Sequence, residues 1–146
     1  MGEERNIKKR ILIATPLYPP EIGGPATYTE LLERELPRKG VAVDVIPYAQ
    51  SRRFPKGVAH LHFFYRVWKG LRNVDMVLAQ DPVSVGLPTV IAAKLRRKKV
   101  IIRMPGDYAW EQSVQRFGVI DGIDAFQKKT YGWRVEVLRS VQRWVT

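Results

Sequence analysis

Apolar positions along this chain switch between short unbroken runs and stretches where they recur every three or four residues. Ile11–Ala14 is the first run, set behind a charged lead, and it predicts a strand buried on both faces. Pro16, Pro19 and Pro20 end that strand and stiffen an extended loop. A helix follows the Gly23–Gly24 pair. Pro25 suits its first turn, Thr27 and Glu30 have capping-box spacing, and Tyr28, Leu31, Leu32 and Leu36 form one apolar face. Pro37 and Gly40 close the helix, and Val41–Ile46 alternates around Asp44 as a second strand. Gln50–Gly57 reads as a basic loop. His60–Arg72 reads as a helix striped by Leu61, Phe64, Trp68 and Leu71, with Phe63 and Val67 widening the stripe. Asp75–Gln80 predicts a third, buried strand ending in Asp81-Pro82. Ser84 stands where it would cap the next helix, which tolerates Pro88 in its first turn and runs on through Val90, Ile91 and Leu95. Val100–Met104 is a fourth strand. Beyond it the pattern loosens: Phe117–Phe126 reads as a loop or short helix, and Thr130–Val145 as a helix with Trp133, Val137, Val141 and Trp144 on one side.

Strands alternating with helices across short connections predict an α/β domain, a Rossmann-like parallel sheet with helices on both faces. The 146 residues suffice for one such domain with a real core, and residues 1–8 read as a ragged charged leader. No internal repeat or low-complexity segment interrupts it.

Charge and composition narrow the chemistry. The net charge is +11 and unevenly spread: no acid occurs between Val45 and Val74, whereas Arg52, Arg53, Lys56, Arg66, Lys69 and Arg72 do. Lys94, Arg96, Arg97, Lys98 and Lys99 form a second cluster. Such a surface favours polyanions, namely nucleic acid, anionic lipid or phosphorylated substrates. The second cluster also fits the plain role of a solvated helix end, where cations suit the dipole. The His60–Arg72 helix has two readings as well: packing on the sheet, or a membrane-facing basic amphipathic surface. Nucleic acid is disfavoured because the aromatics sit together in one helix rather than interleaved along a basic sheet surface. The chain has no cysteine and only His60 and His62 as histidines, so neither a disulfide framework nor a histidine zinc site is expected. No apolar run reaches the length of a membrane span and the start is no signal peptide, which predicts a cytoplasmic location.

Two stretches carry candidate chemistry. A strand, a glycine pair and a helix N-terminus bring bare N–H groups and a positive dipole end toward an anion, although glycine pairs also serve purely structural turns. The glycines would supply a positive φ or a close approach. Asp44 lies inside its strand rather than at the end, so no ribose-binding role is assigned to it. After the fourth strand comes Arg103-Met-Pro-Gly-Asp-Tyr-Ala-Trp-Glu111, gathering a glycine, two carboxylates and two aromatics at an edge where open α/β sheets bind ligands.

Tyr-Pro-Pro-Glu-Ile-Gly-Gly-Pro-Ala-Thr-Tyr, then Leu31–Leu32 and Lys39-Gly40-Val41-Ala42-Val43-Asp44-Val45, resembles the N-terminal domain of family 4 glycosyltransferases, which are retaining enzymes of the two-domain GT-B fold. The resemblance spans roughly residues 8–145 and is strongest in the first motif. It implies transfer of a sugar from a nucleotide-diphosphate sugar to a hydroxyl of a glycan or lipid-linked acceptor, in cell-envelope glycan or glycolipid synthesis, without metal or other cofactor. Gly23 and Gly24 would approach the donor diphosphate. Pro25, Tyr28, Gly106, Tyr108, Trp110 and Glu111 would line the substrate site, with Trp110 or Tyr108 stacking on a sugar ring. The family commonly carries a His-Gly or His-Asp pair after the fourth strand, with the histidine near the acceptor or the donor phosphates. Pro105 stands there instead, leaving Asp107 as base, hydroxyl orienter or loop cap. The family's donor-gripping glutamates, eight positions apart in a second domain, have no counterpart among these residues. The expectation is therefore an acceptor-side half that does not turn over alone. Its apolar C-terminal helix face would be covered by a second copy or a partner domain. The competing reading is a non-catalytic domain that docks to a glycosyltransferase subunit or to the anionic inner face of the cell membrane.

Overall fold

A computed structural model of the chain describes residues 9–146, so the leader over residues 1–8 lies outside the described residues. Four strands, β1 (Lys9–Thr15), β2 (Val41–Pro47), β3 (Met76–Ala79) and β4 (Lys99–Ile102), pair in parallel in the order β2-β1-β3-β4. Seven α-helices join and cover them: α1 (Gly24–Glu35), α2 (Ala49–Arg52), α3 (Lys56–Gly70), α4 (Gly86–Arg96), α5 (Tyr108–Phe117), α6 (Ile123–Lys128) and α7 (Trp133–Val145). The expected α/β, Rossmann-like sheet is present, with helices on both faces.

Strand pleating sorts the side chains. Leu12 and Ala14 of β1, Val77 and Ala79 of β3, and Val100 and Ile102 of β4 meet Phe63 and Val67 of α3 and Ala92 and Ala93 of α4. On the opposite face, α1 buries Ala26 and Thr29, and fully buried Gln80, just past β3, reaches across to it. That face is covered less completely, since Ile101 of β4 is 48% exposed.

Several boundaries differ from the sequence pattern for local reasons. α1 starts at Gly24 with Gly23 as its cap and no side-chain capping bond. Thr27 is one turn inside, its hydroxyl donating back to the Gly23 carbonyl at 3.3 Å, so no capping box forms with Glu30. Much of the basic loop is helical, in α2 and the first turn of α3. α3 turns Ala59, Phe63 and Val67, each four residues apart, toward the sheet, leaving Leu61 69% exposed. Ser84 does not cap α4. Its hydroxyl donates to Asp81, whose other oxygen accepts the Val83 and Val85 N–H groups at 2.9 and 3.2 Å. The stretch through Tyr108–Glu111 is not loop but the start of α5, because Asp107 caps it.

The C-terminal helices form a separate small cluster of Ala109, Val119, Phe126 and Val135, joined by Trp110, Tyr131 and Leu138. Polar side chains tie it together. Arg139, on the inner side of α7, donates to the carbonyls of Phe126 and Lys129 and to Glu136, and its guanidinium lies 4.4 Å from the Phe126 ring centre. Asp121 accepts from Lys129 Nζ and the Tyr131 hydroxyl, both at 2.8 Å. The apolar side noted in the sequence does face outward, with Trp133 73% and Trp144 52% exposed.

Candidate functional site

A parallel sheet sends all its strand ends to one edge, and the order here reverses direction between β1 and β3. Chains leaving β1 and β3 part at that point to opposite faces, opening a crevice beyond their carboxyl ends. An open helix start and one cleft lie along this edge.

The first is the start of α1. Gly23 is extended and Gly24 opens the helix; neither has the left-handed backbone that the sequence allowed for. A Cβ at Gly23 would lie 2.6 Å from Leu17 Cδ1, the movable end of that side chain, whereas Gly24 faces open space. No side chain caps this end and no acid lies in its first turn, so its positive dipole end is uncompensated. Gln80 donates to the Pro25 carbonyl at 3.2 Å and to the Thr29 hydroxyl, while its Oε1 is buried without a partner among the described residues. Arg103, leaving β4, places its guanidinium 4.4 Å from the Tyr28 ring centre with a buried, unpartnered Nη1. An acceptor and a donor, both unused, thus flank the first turns of α1.

The second is a cleft of about 450 Å³ whose walls include the β1–α1 loop at Pro16 and Leu17, the start of α3, and Tyr108 and Arg116 of α5. Tyr48, Arg52, Lys56 and His60 also reach it. Glu21 holds Arg52 from outside. The Arg52 hydrogen bond is the main reason that the Glu21 carboxyl sits below its usual range. Burial raises the hydroxyl pKa of Tyr48 and Tyr108, and the Asp81 carboxylate raises that of Tyr108 further. His60 Nδ1 donates to the Lys56 carbonyl at 2.6 Å, which leaves Nε2 as its free ring nitrogen.

The residues singled out in the sequence are distributed rather than gathered. Gly23, Gly24, Pro25 and Tyr28 lie at the start of α1, and Tyr108 lines the cleft. Asp107 has taken the capping role of its three options. Oδ1 accepts the Trp110 N–H at 3.1 Å and Gln142 Nε2 at 3.2 Å, beside a further hollow of about 380 Å³ with Arg139 and Arg143. Trp110 turns into the C-terminal cluster, its indole N–H donating to the Asp121 carbonyl at 3.0 Å, so its ring is packed rather than offered for stacking. Glu111 is exposed, with its carboxylate lying against Gly106. Tyr48, Lys56 and Arg116 of the cleft were not singled out as site residues. The signal was the acid-free run from Val45 to Val74, but Arg116 enters from a helix not expected there.

Among the described residues no group of three His, Asp or Glu side chains could hold a metal ion, and no helix is long and apolar enough to cross a membrane. No protein-family model matches the sequence, and no curated protein or solved structure matches it either.

Proposed function

We propose that the chain works as the acceptor-side, N-terminal domain of a retaining GT-B glycosyltransferase, located in the cytoplasm and moving a sugar from a nucleotide-diphosphate sugar to a hydroxyl acceptor. One observation carries the reading. The motif with the family resemblance forms the uncapped start of α1 at the sheet's ligand-binding edge, flanked by the unpartnered Gln80 Oε1 and Arg103 Nη1. Bare N–H groups at a helix start suit the donor diphosphate, and Arg103 adds a cation within the same corner. Asp107, spent on the cap, is not needed as a base, because in the resembled family the leaving phosphate takes the acceptor's proton. Calorimetric titration with a panel of nucleoside diphosphate sugars tests the reading. At least one should bind more tightly than inorganic sulfate at equal ionic strength. A panel in which none does overturns it.

A second reading rests on the surface of α3, α4 and α7. Leu61, Phe64, Leu87 and Ile91 line one apolar groove, and Leu87 and Ile91 continue into another with Val141 and Trp144. Lys94 sits 4.1 Å from the Trp144 ring centre at its border. An anionic membrane surface fits an apolar strip edged by cations, each worth about 1 kcal/mol near such a surface. This would make the domain peripheral on the inner face of the membrane. Sedimentation with vesicles should then rise with anionic lipid content and fall with salt. Sedimentation indifferent to both contradicts it.

A further inference from the structure

Three cations of the acid-free run from Val45 to Val74, Arg53, Arg66 and Lys69, line a single hollow. It lies beside β2, the outermost strand on that side, and holds about 600 Å³, within the range of small-molecule sites. Ile46 of β2 belongs to its wall. Gln50 of α2 and Arg53, one residue past that helix, form one side. His62, Tyr65, Arg66 and Lys69 form the other, at spacings that keep them on one side of α3. The buried stripe of α3 separates these four from Leu61 and Phe64, which line the apolar groove. No wall residue is shared with the cleft at the sheet's carboxyl edge.

Packing holds the basic groups in place without neutralising them. Arg66 donates to the Pro47 carbonyl at 2.9 Å. The Arg53 guanidinium lies 5.0 Å from the Phe54 ring centre, which is itself 4.9 Å from that of His62. His62 Nδ1 is 2.9 Å from the hydroxyl of fully buried Ser51, and with that hydroxyl donating, the ring proton sits on Nε2 as a further donor. None of the three cations has an ion-pair partner among the described residues, and no wall residue is acidic. Asp44 shares the face of β2 that carries Ile46, but it is not part of the wall and lies 4.0 Å from Arg10. Partial burial lowers the Arg66 pKa, so its charge gains from an anion brought beside it. Cations of one sign on both sides of a concave surface concentrate its potential, which a merely solvated basic face does not require.

We propose that this hollow binds a ligand carrying two or more phosphate groups. Arg53 and Lys69 hold the phosphates from opposite sides, and Arg66 and His62 donate between them. The hollow flanks β2 rather than the start of α1, which makes it an effector or anchoring site, independent of the glycosyltransferase reading. Two sources share this chemistry, a soluble bisphosphate and the headgroup of a lipid with two phosphates.

The test is a two-dimensional NMR titration of the full chain with inorganic tripolyphosphate. Saturable shifts are expected over Gln50–Phe54 and His62–Gly70. An Arg53→Gln/Lys69→Gln variant, which leaves the Arg66 bond to Pro47 in place, should bind at least about tenfold more weakly, as expected for losing charge-assisted hydrogen bonds. Sheet amides in the same spectra report whether that variant is folded. Lys99→Gln/Lys128→Gln removes the same charge from exposed positions elsewhere and should bind as the parent does. Competition then assigns the source: fructose 1,6-bisphosphate displacing tripolyphosphate indicates a soluble ligand, and displacement only by phosphatidylcholine vesicles containing cardiolipin indicates a lipid headgroup. Unsaturable binding, equal weakening in both double variants, shifts that avoid the α2 and α3 walls, or displacement by neither competitor overturns the proposal. Nucleotide-sugar binding at the start of α1 is a separate readout, whose failure removes the glycosyltransferase reading and leaves the hollow standing.

Discussion

The sheet core and the C-terminal helical cluster are held by different forces. Around β1 and β3, α3 and α4 pack Phe63, Val67, Ala92 and Ala93 onto aliphatic strand faces, with Leu71 just past α3, a cluster with no titratable member among its buried residues. The apolar core of the α5–α7 cluster is small, made of Ala109, Val119, Phe126 and Val135. The cluster relies instead on Arg139, Asp121, Asp107 and Gln142 to join helix ends to one another. Aliphatic burial is non-directional and insensitive to pH, whereas a polar clamp depends on each partner staying in place and in its charge state. The two halves that frame the candidate site should therefore loosen under different conditions. Tyr108 and Arg116, on α5, belong to the more conditional half.

Phe63→Ala should have the largest effect. Its ring is fully buried between sheet and helices, and truncation of such a residue costs about 3–5 kcal/mol. Calorimetry should show a single lowered transition, with protection lost in both regions together. Arg139→Ala should come next, at about 1–3 kcal/mol, because it leaves the Phe126 and Lys129 carbonyls without their donor. Hydrogen exchange should accelerate in α5–α7 while β1 and β3 stay protected. Exchange rising equally in the sheet would erase the distinction drawn here.

Asp107→Ala should cost about 1 kcal/mol as a lost N-cap, and Asp107→Asn much less, since asparagine caps nearly as well. Thermal melts of the two variants decide it. If Asn is as damaging as Ala, the carboxylate has a role that the cap does not describe.

Acid should separate the regions more gently. Hydrogen bonds from Lys129 first and then Tyr131 hold the Asp121 carboxyl below its ordinary 3.8, and the Tyr131 N–H followed by Arg139 holds Glu136 below 4.5. For such depressed groups the stabilisation is complete above the ordinary value and is lost as pH falls through the lowered folded value. Exchange measured down that range should quicken in α6 and α7 before it quickens in β3. Simultaneous loss would mean that the polar ties contribute nothing regional.

The contrast also explains what could be read from the residues alone. Ile11–Ala14 was legible as a parallel strand because continuous apolarity has few other uses in a chain with short connections, and Val41–Ile46 was legible from its alternation around Asp44. α7 was misleading, since it is apolar on two sides: Trp133, Val137 and Trp144 face outward, while the inward side mixes Val135 and Leu138 with Arg139 and Gln142. Periodicity ranks the aromatic side first and gives no hint that an arginine faces inward. Capping was hard to place because Thr27, Ser84 and Asp107 each stand near a helix start, and the backbone entry geometry chose only Asp107. Of the candidate site, the glycine turn was visible as a motif. The cleft was not, because it joins residues from β2–α3 and α5 that are brought together only by the fold.

The location of a nucleotide sugar on this chain tests the account most directly. Titrating the isotope-labelled protein with a nucleoside diphosphate sugar and mapping the amide shifts should trace Gly23–Thr27, Gln80 and Arg103 along the carboxyl edge of the sheet. The shifts should saturate and survive moderate salt. Shifts gathered instead at the exposed Lys94–Lys99 stretch, growing without saturation and vanishing with salt, would contradict it.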